Sequence, residues 1–177
     1  MTIVDEILAR ARAVKVLIFD VDGVLTDGSL FFGDDGQEYK AFNSRDGHGI
    51  KMLRDAGVET AILTGRTSQV VLHRARNLGI TRIIQGAHDK LASYEAMLAE
   101  TGLSPQETAF MGDDLVDLPV LRRSGLACTV PDAPAEVLAR VHYVTQAAAG
   151  RGAAREVCEL IMRAQDTWAA QLALYDR

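Results

Sequence analysis

Apolar residues run unbroken from Val16 to Phe19 and stop at two aspartates one residue apart, Asp20 and Asp22, with Gly23 following at once. A short apolar run without polar alternation predicts a strand buried on both faces. Comparable runs recur along the chain, and the strands they predict are Lys15–Phe19, Val58–Leu63, Arg82–Ile84, Thr108–Met111, Ala127–Val130 and His142–Val144. Helical spacing fills the intervals, over His48–Ala56, Ser68–Leu78, Lys90–Thr101, Leu115–Ser124 and Pro134–Ala139. A last long helix is expected from about Ala153 to Leu174. Gly57, Gly79, Gly102 and Gly125 each stand just past a helix, where a left-handed residue is wanted. Ser104-Pro105 and Pro131-Asp132 mark loops. Strands alternating with helices are the pattern of βαβ units on a parallel sheet. The expectation is an α/β, Rossmann-like three-layer fold in a single domain over residues 1–177.

One segment breaks the alternation. From Ser29 to Phe42 two aromatic-rich runs flank Gly33-Asp34-Asp35-Gly36, which is a β-hairpin signal. The hairpin, bounded at 28–42, is the only insertion large enough to cover a site after the first strand, and it is too small to be a cap domain. An isolated two-stranded hairpin is marginal in water. Leu30, Phe31, Phe32, Tyr39 and Phe42 therefore need another surface, either their own domain or another subunit.

Composition narrows the class. The chain of 177 residues is 48% hydrophobic and 24% charged, ordinary globular values, and can bury one full core. A net charge of −5 without a basic stripe argues against nucleic acid as a partner. No apolar run approaches the about 18 residues needed to span a bilayer. Met1–Arg12 mixes acids and arginines on an amphipathic pattern unlike a signal peptide. Cys128 and Cys158 are too few and too far apart for a disulfide framework or zinc knuckle, and read as small buried hydrophobes. The expected location is cytoplasmic, with no membrane partner.

Carboxylates at the end of a buried strand sit where open α/β sheets place their chemistry. Four strand ends converge: Asp20 and Asp22; Thr64-Gly65-Arg66; Gln85-Gly86 leading to Lys90; and Gly112-Asp113-Asp114 with Asp117 one turn on. Asp20, Asp22 and Asp113 brought together would repel, so a cation is required. Only oxygen donors are on offer, which favours Mg²⁺ over zinc or copper. Thr64, Lys90 and backbone amides after Asp20 could donate to phosphoryl oxygens. In this scheme Asp20 is the nucleophile and forms an aspartyl-phosphate, while Asp22 protonates the leaving oxygen and then activates water. Asp117 is read as positioning Lys90, and Asp27 and Asp34 as turn residues. An acidic sugar phosphate needs further cations, for which Arg45, Arg66 and Arg74 are candidates. His48 and His73 read as surface or rim residues rather than metal ligands.

Taken in this order, the motifs resemble those of the haloacid dehalogenase superfamily over essentially the whole chain. The particular pieces are Asp20–Gly28, Phe42–Ile50, Gly112–Pro119 and Gly150–Cys158. The second and fourth are similar to the capless, hairpin-bearing subgroup that hydrolyses 3-deoxy-D-manno-octulosonate 8-phosphate in lipopolysaccharide synthesis. The resemblance implies Mg²⁺ bound by the Asp20 and Asp113 carboxylates and the Asp22 backbone carbonyl. It implies substrate contacts at Asp22, Asn43, Ser44, Arg45, Asp46, Gly47, Arg66, Arg74, Lys90 and Asp114. Lys51 stands where an arginine is common among relatives, keeping the charge but not the bidentate fork. The resemblance further implies a homotetramer built by the hairpin, and a tail at 148–177 whose Gly150–Gly152 stretch, with Arg151, reaches a neighbour's site.

Three functions are thus distinguished: a phosphatase for the eight-carbon acid phosphate, one for a nine-carbon sialic-acid-type 9-phosphate, and a non-catalytic tetrameric module assisting a sugar-nucleotide synthetase. The intact set of Asp20, Asp22, Lys90 and Asp113 speaks against the third.

Overall fold

The computed structural model describes residues 2–176. The first helix, α1 (Ile3–Ala13), starts at a capping box in which Thr2 and Asp5 satisfy each other's backbone N–H. The chain then enters β1 (Val16–Phe19), four buried apolar residues, and crosses a loop into the hairpin strands β2 (Phe31–Phe32) and β3 (Glu38–Tyr39). Regular alternation follows: α2 (Ser44–Asp55), β4 (Glu59–Leu63), α3 (Gln69–Leu78), β5 (Arg82–Ile84), α4 (Lys90–Thr101) and β6 (Thr108–Met111). The last part is α5 (Leu118–Leu121), β7 (Leu126–Thr129), α6 (Ala135–Leu138), β8 (Tyr143–Val144), α7 (Ala153–Ala164) and α8 (Trp168–Ala173).

The main sheet has six parallel strands in the order β5-β4-β1-β6-β7-β8. From β1 the chain builds one side through β4 and β5, then returns to build the other from β6. That reversal is a topological switch point, and the crevice beyond the strand ends there is where such sheets bind ligands. Val16 pairs with Glu59 on one side and Thr108 on the other, so β1 is central. Its neighbours on both edges, and helices on both faces, explain why Leu17, Ile18 and Phe19 are wholly buried. Each such side chain contributes about 1.5–3 kcal/mol by leaving water.

On one face α2 packs against α7 at close range. Glycine permits it, since a Cβ on Gly49 would lie 2.6 Å from Arg155 Cδ and 3.0 Å from its Cα. The helix begins at Ser44 rather than His48 because the Asn43 side chain accepts from the Arg45 and Asp46 amides and caps it early.

Three further expectations are corrected. The helix expected over Leu115–Ser124 is a 3₁₀ turn at Leu115–Asp117 followed by the single turn of α5. The helix expected over Ala153–Leu174 is broken after Ala164, with Asp166 in the left-handed region at φ 59°. Gln165 Nε2 donates to the Val14 carbonyl at 2.7 Å and to that of Ala11 at 3.2 Å, anchoring the break on the end of α1. The turn folds Trp168 back over the Arg163 guanidinium at 4.6 Å. Gly57, Gly79 and Gly102 take the expected left-handed conformation, but Gly125 does not. Gly125 is small for a different reason: a Cβ there would lie 2.4 Å from the Gln106 carbonyl oxygen. Among the described residues no helix is long and apolar enough to cross a membrane.

Candidate active site

The central strand delivers Asp20 to the switch point, tied to β6 by its amide donating to the Met111 carbonyl at 2.9 Å. Its carboxylate is held from two sides, by the Val21 amide at 2.7 Å and by Lys90 Nζ at 2.7 Å. Lys90 opens α4, where Asp89 caps the helix by accepting from the Ala92 amide. Its ammonium reaches inward past Asp20 to Asp117 Oδ1 at 2.6 Å. Asp117 is fully buried, and its other oxygen accepts from the Asp113 and Asp114 amides at 3.0 and 3.2 Å. Both oxygens are thus occupied, so Asp117 orients Lys90 and shapes the loop that carries Asp113.

Asp113 lies across Gly23. That glycine has φ +84°, and a Cβ there would fall 2.0 Å from Asp113 Oδ2. Only glycine satisfies both the left-handed backbone and the passage of the carboxylate. Asp20, Asp113 and Asp117 each bring a carboxylate oxygen within 4.8 Å of the others. One ammonium faces three carboxylates, and the electrostatics reflect the imbalance. Burial, then the nearby Asp117, pushes Asp20 up to about 6 against the pull of Lys90. Burial and the charges of Asp117, Asp20 and Asp114 push Asp113 up to about 7. For Lys90 burial disfavours the charge, but Asp20 and Asp117 outweigh it and raise its value. A cluster of oxygen donors short of positive charge fits a hard divalent cation. Thr64 is buried at the end of β4, its amide donating to the Ile84 carbonyl at 3.0 Å.

Asp22 behaves differently from its partner two residues earlier. Its carboxylate turns away from the Asp20 cluster and pairs with Lys40, with Arg66 Nε 3.7 Å from its other oxygen. Lys40 also meets Glu38 Oε1 at 3.2 Å, and Arg66 meets the same oxygen at 3.3 Å. The Lys40 side chain is 0% exposed. Sequence reasoning missed it, because a lysine at the end of an exposed hairpin looks like an ordinary solvated charge. The one available signal was its place after Glu38-Tyr39 on a hairpin that follows the aspartate pair directly.

The remaining candidates form a third group along the start of α2. Asn43 Oδ1 serves as the helix cap, while Ser44 and Arg45 are exposed on the first turn. Asp46 is buried and faces α7, its carboxylate accepting from the Arg155 amide at 2.8 Å and the Gly152 amide at 3.2 Å. Gly47 makes room for Arg74, whose Nη2 would lie 2.2 Å from a Cβ there. Arg74 donates to the Asn43 carbonyl at 3.1 Å and lies over the Phe42 ring at 5.6 Å. Asp114 caps the turn after β6, accepting from the Leu115 amide at 2.7 Å. Lys51 is exposed on α2, away from these contacts. Arg151 is exposed 4.0 Å from Asp27, and the adjacent Gly150 amide donates to the Val24 carbonyl at 3.0 Å. The Gly150–Gly152 tail therefore packs on the Asp20 loop of its own chain. His48 is exposed, with Nε2 2.9 Å from the Tyr175 hydroxyl. Asp27 makes the expected turn contact, accepting from the Ser29 amide at 3.0 Å; in the hairpin turn Asp35 rather than Asp34 does this, toward Gln37.

In the hairpin, Phe31 pairs with Tyr39 and Phe32 with Glu38. Phe42 packs on the core, but Leu30, Phe31, Phe32 and Tyr39 are exposed, Phe32 by 58%. Of the two surfaces open to these aromatics, their own domain takes only Phe42.

Residues 35–125 match the haloacid dehalogenase-like hydrolase family. The chain is 46% identical over 164 residues to the 3-deoxy-D-manno-octulosonate 8-phosphate phosphatase KdsC of Yersinia pestis, covering 93% of this chain and 88% of that protein. Its fold is similar to the Moraxella catarrhalis 3-deoxy-D-manno-octulosonate 8-phosphate phosphatase in complex with magnesium, phosphate and KDO. There the TM-score is 0.95 at 40% identity, with 97% of this chain and 98% of that one covered. It is also similar to the cobalt-bound Haemophilus influenzae deoxy-D-mannose-octulosonate 8-phosphate phosphatase, with TM-score 0.86 at 39% identity and 89% and 92% covered.

Proposed function

The chain belongs to the haloacid dehalogenase-like hydrolases, and on that footing we propose that it hydrolyses 3-deoxy-D-manno-octulosonate 8-phosphate to the free sugar acid and phosphate. The observation that carries the phosphatase chemistry is the buried Asp20–Lys90–Asp113 cluster at the end of the central strand. The identity to KdsC, and the likeness to a structure that holds magnesium, phosphate and KDO, support the substrate and its role in lipopolysaccharide synthesis.

In this reading Asp20 and Asp113, with the Asp22 backbone carbonyl, hold Mg²⁺, which when bound neutralises the clustered carboxylates and the phosphate. An Asp20 oxygen attacks phosphorus; the bond to the sugar oxygen breaks, and that oxygen takes a proton from Asp22. Asp22, now ionised, accepts a proton from water, whose oxygen attacks phosphorus and releases phosphate from Asp20. Lys90 and Thr64 donate to the phosphoryl oxygens, where charge is spread in the transition state. The segment Asn43–Gly47, Asp114 and the cations Lys51, Arg66, Arg74 and Arg151 are assigned to the sugar acid. The exposed aromatic face of the hairpin is assigned to a homotetramer.

Phosphate release is expected to need Mg²⁺ and to be abolished in Asp20→Ala. Measured side by side, kcat/KM is expected to favour the eight-carbon acid phosphate over the nine-carbon one by more than about tenfold, or roughly 1.4 kcal/mol. Sustained turnover by Asp20→Ala would overturn the mechanism, and preference for the nine-carbon acid would overturn the substrate.

A further inference from the structure

Asp20 and Asp22 are held by unlike means. Asp20 is fixed by its own loop through the Val21 amide and by Lys90. Asp22 has no such support: among the described residues no backbone N–H reaches its carboxylate, and its hydrogen bond comes from Lys40. Arg66, the nearest other cation, stands 3.7 Å away and its side chain is 45% exposed. The Lys40 side chain is shielded from solvent, which removes a strongly hydrated ammonium from water. Such a buried ion pair is weak evidence for stability, since apolar residues in its place are often neutral or stabilising. Its location on a carboxylate that must transfer a proton gives it a use.

Resting on the reading of Asp22 as that proton-transfer group, we propose that Lys40 is a positioning residue that fixes the Asp22 carboxylate at the mouth of the site. A carboxylate free to rotate spends much of its time out of line with the leaving oxygen, and small misplacements are costly in rate. Lys40 removes that freedom from the hairpin side, with Glu38 neutralising its second face and linking it to Arg66. The base of the hairpin is then part of the acid–base apparatus as well as the stem of an exposed aromatic surface.

The test is a series of substituted phenyl phosphates, for which kcat/KM reports steps up to departure of the phenolate. Nitrophenolate leaves without a proton, whereas unsubstituted phenolate needs one. Lys40→Met is expected to lower kcat/KM about tenfold or more for phenyl phosphate and less than about twofold for 4-nitrophenyl phosphate. Lys40→Arg is expected to recover most of the loss, and Lys40→Met added to Asp22→Asn to cost nothing further. If Lys40→Met does not fold, Lys40→Gln is measured on the same series with the same pattern expected. A loss equal across the series, as from lost substrate binding or general damage, overturns the positioning role. Full additivity with Asp22→Asn does the same. Asp22→Asn itself losing activity equally across the series removes the acid assignment on which the inference stands, a distinct failure.

Discussion

Two apolar runs near the start of the chain, Val16–Phe19 and Leu30–Phe32, each precede acidic residues and glycine, yet they end in opposite surroundings. The first is buried completely between β4 and β6. The second forms half of a two-stranded ribbon with its aromatics in solvent. The difference lies in what covers the faces. A parallel strand with neighbours on both edges and helices above and below leaves nothing exposed, so every polar group at its end can be fixed by a buried partner. A hairpin has one neighbour and no second layer, so its aromatics are available to another surface. The candidate chemistry stands at the end of the buried run, and the exposed run is left open to another surface.

The harshest way to break the buried half is Gly23→Ala. The new Cβ would enter the space of the Asp113 carboxylate on a backbone of φ +84°. Phosphatase activity is expected to fall by more than about 100-fold, with a stability loss of about 1–3 kcal/mol that a urea melt would show.

A gentler probe is pH. Asp20 and Asp113 are raised in the folded protein to about 6 and about 7. A carboxyl raised on folding holds its proton more tightly in the native state. Both states are protonated below about pH 4, and above that the unfolded chain loses protons first. Metal-free protein is therefore expected to lose stability as pH rises from about 4 to 7 from these groups, then level off. Mg²⁺ should offset the loss, so the rise in Tm that it produces should grow with pH across the same window. A Mg²⁺-induced shift that is flat with pH would mean that the cation binds elsewhere.

The smallest expected effect sharpens the other half. Phe31→Ser and Phe32→Ser should each change the stability of the isolated chain by no more than about 0.5 kcal/mol, because neither ring is buried in it. Sedimentation of the same variants should show smaller species if the ribbon joins subunits.

Much of this was legible in the sequence, for physical reasons. All six strands of the sheet appear within a residue of the runs that predict them; the inner four, β1, β4, β6 and β7, read clearly because burial on both faces demands mostly apolar residues. The chemistry at the ends of β1, β4 and β6 and at the start of α4 was legible as acidic and basic residues interrupting those runs. Tertiary contacts were not. Lys40 reads as a surface charge until the structure folds it under the ribbon onto Asp22. Nothing in the local sequence of Asp46 tells that its carboxylate accepts from the Gly152 and Arg155 amides at the start of α7. The break at Asp166 depends on Gln165 finding the carbonyls of Val14 and Ala11 at the end of α1, 151 and 154 residues earlier in the chain.

The strand order carries a consequence for how the molecule comes into being. β1 leaves the ribosome before either of its partners, since its neighbours on the two sides begin at Glu59 and Thr108. The nascent chain must therefore carry an apolar ribbon with one bare edge until the second half has been made, a burden on early folding that local contacts cannot relieve. Asp113 lies beyond the later of those strands. The Asp20–Asp113 cluster cannot exist before the sheet closes around β1, so a cation could be captured there only after the chain has been made past Asp113.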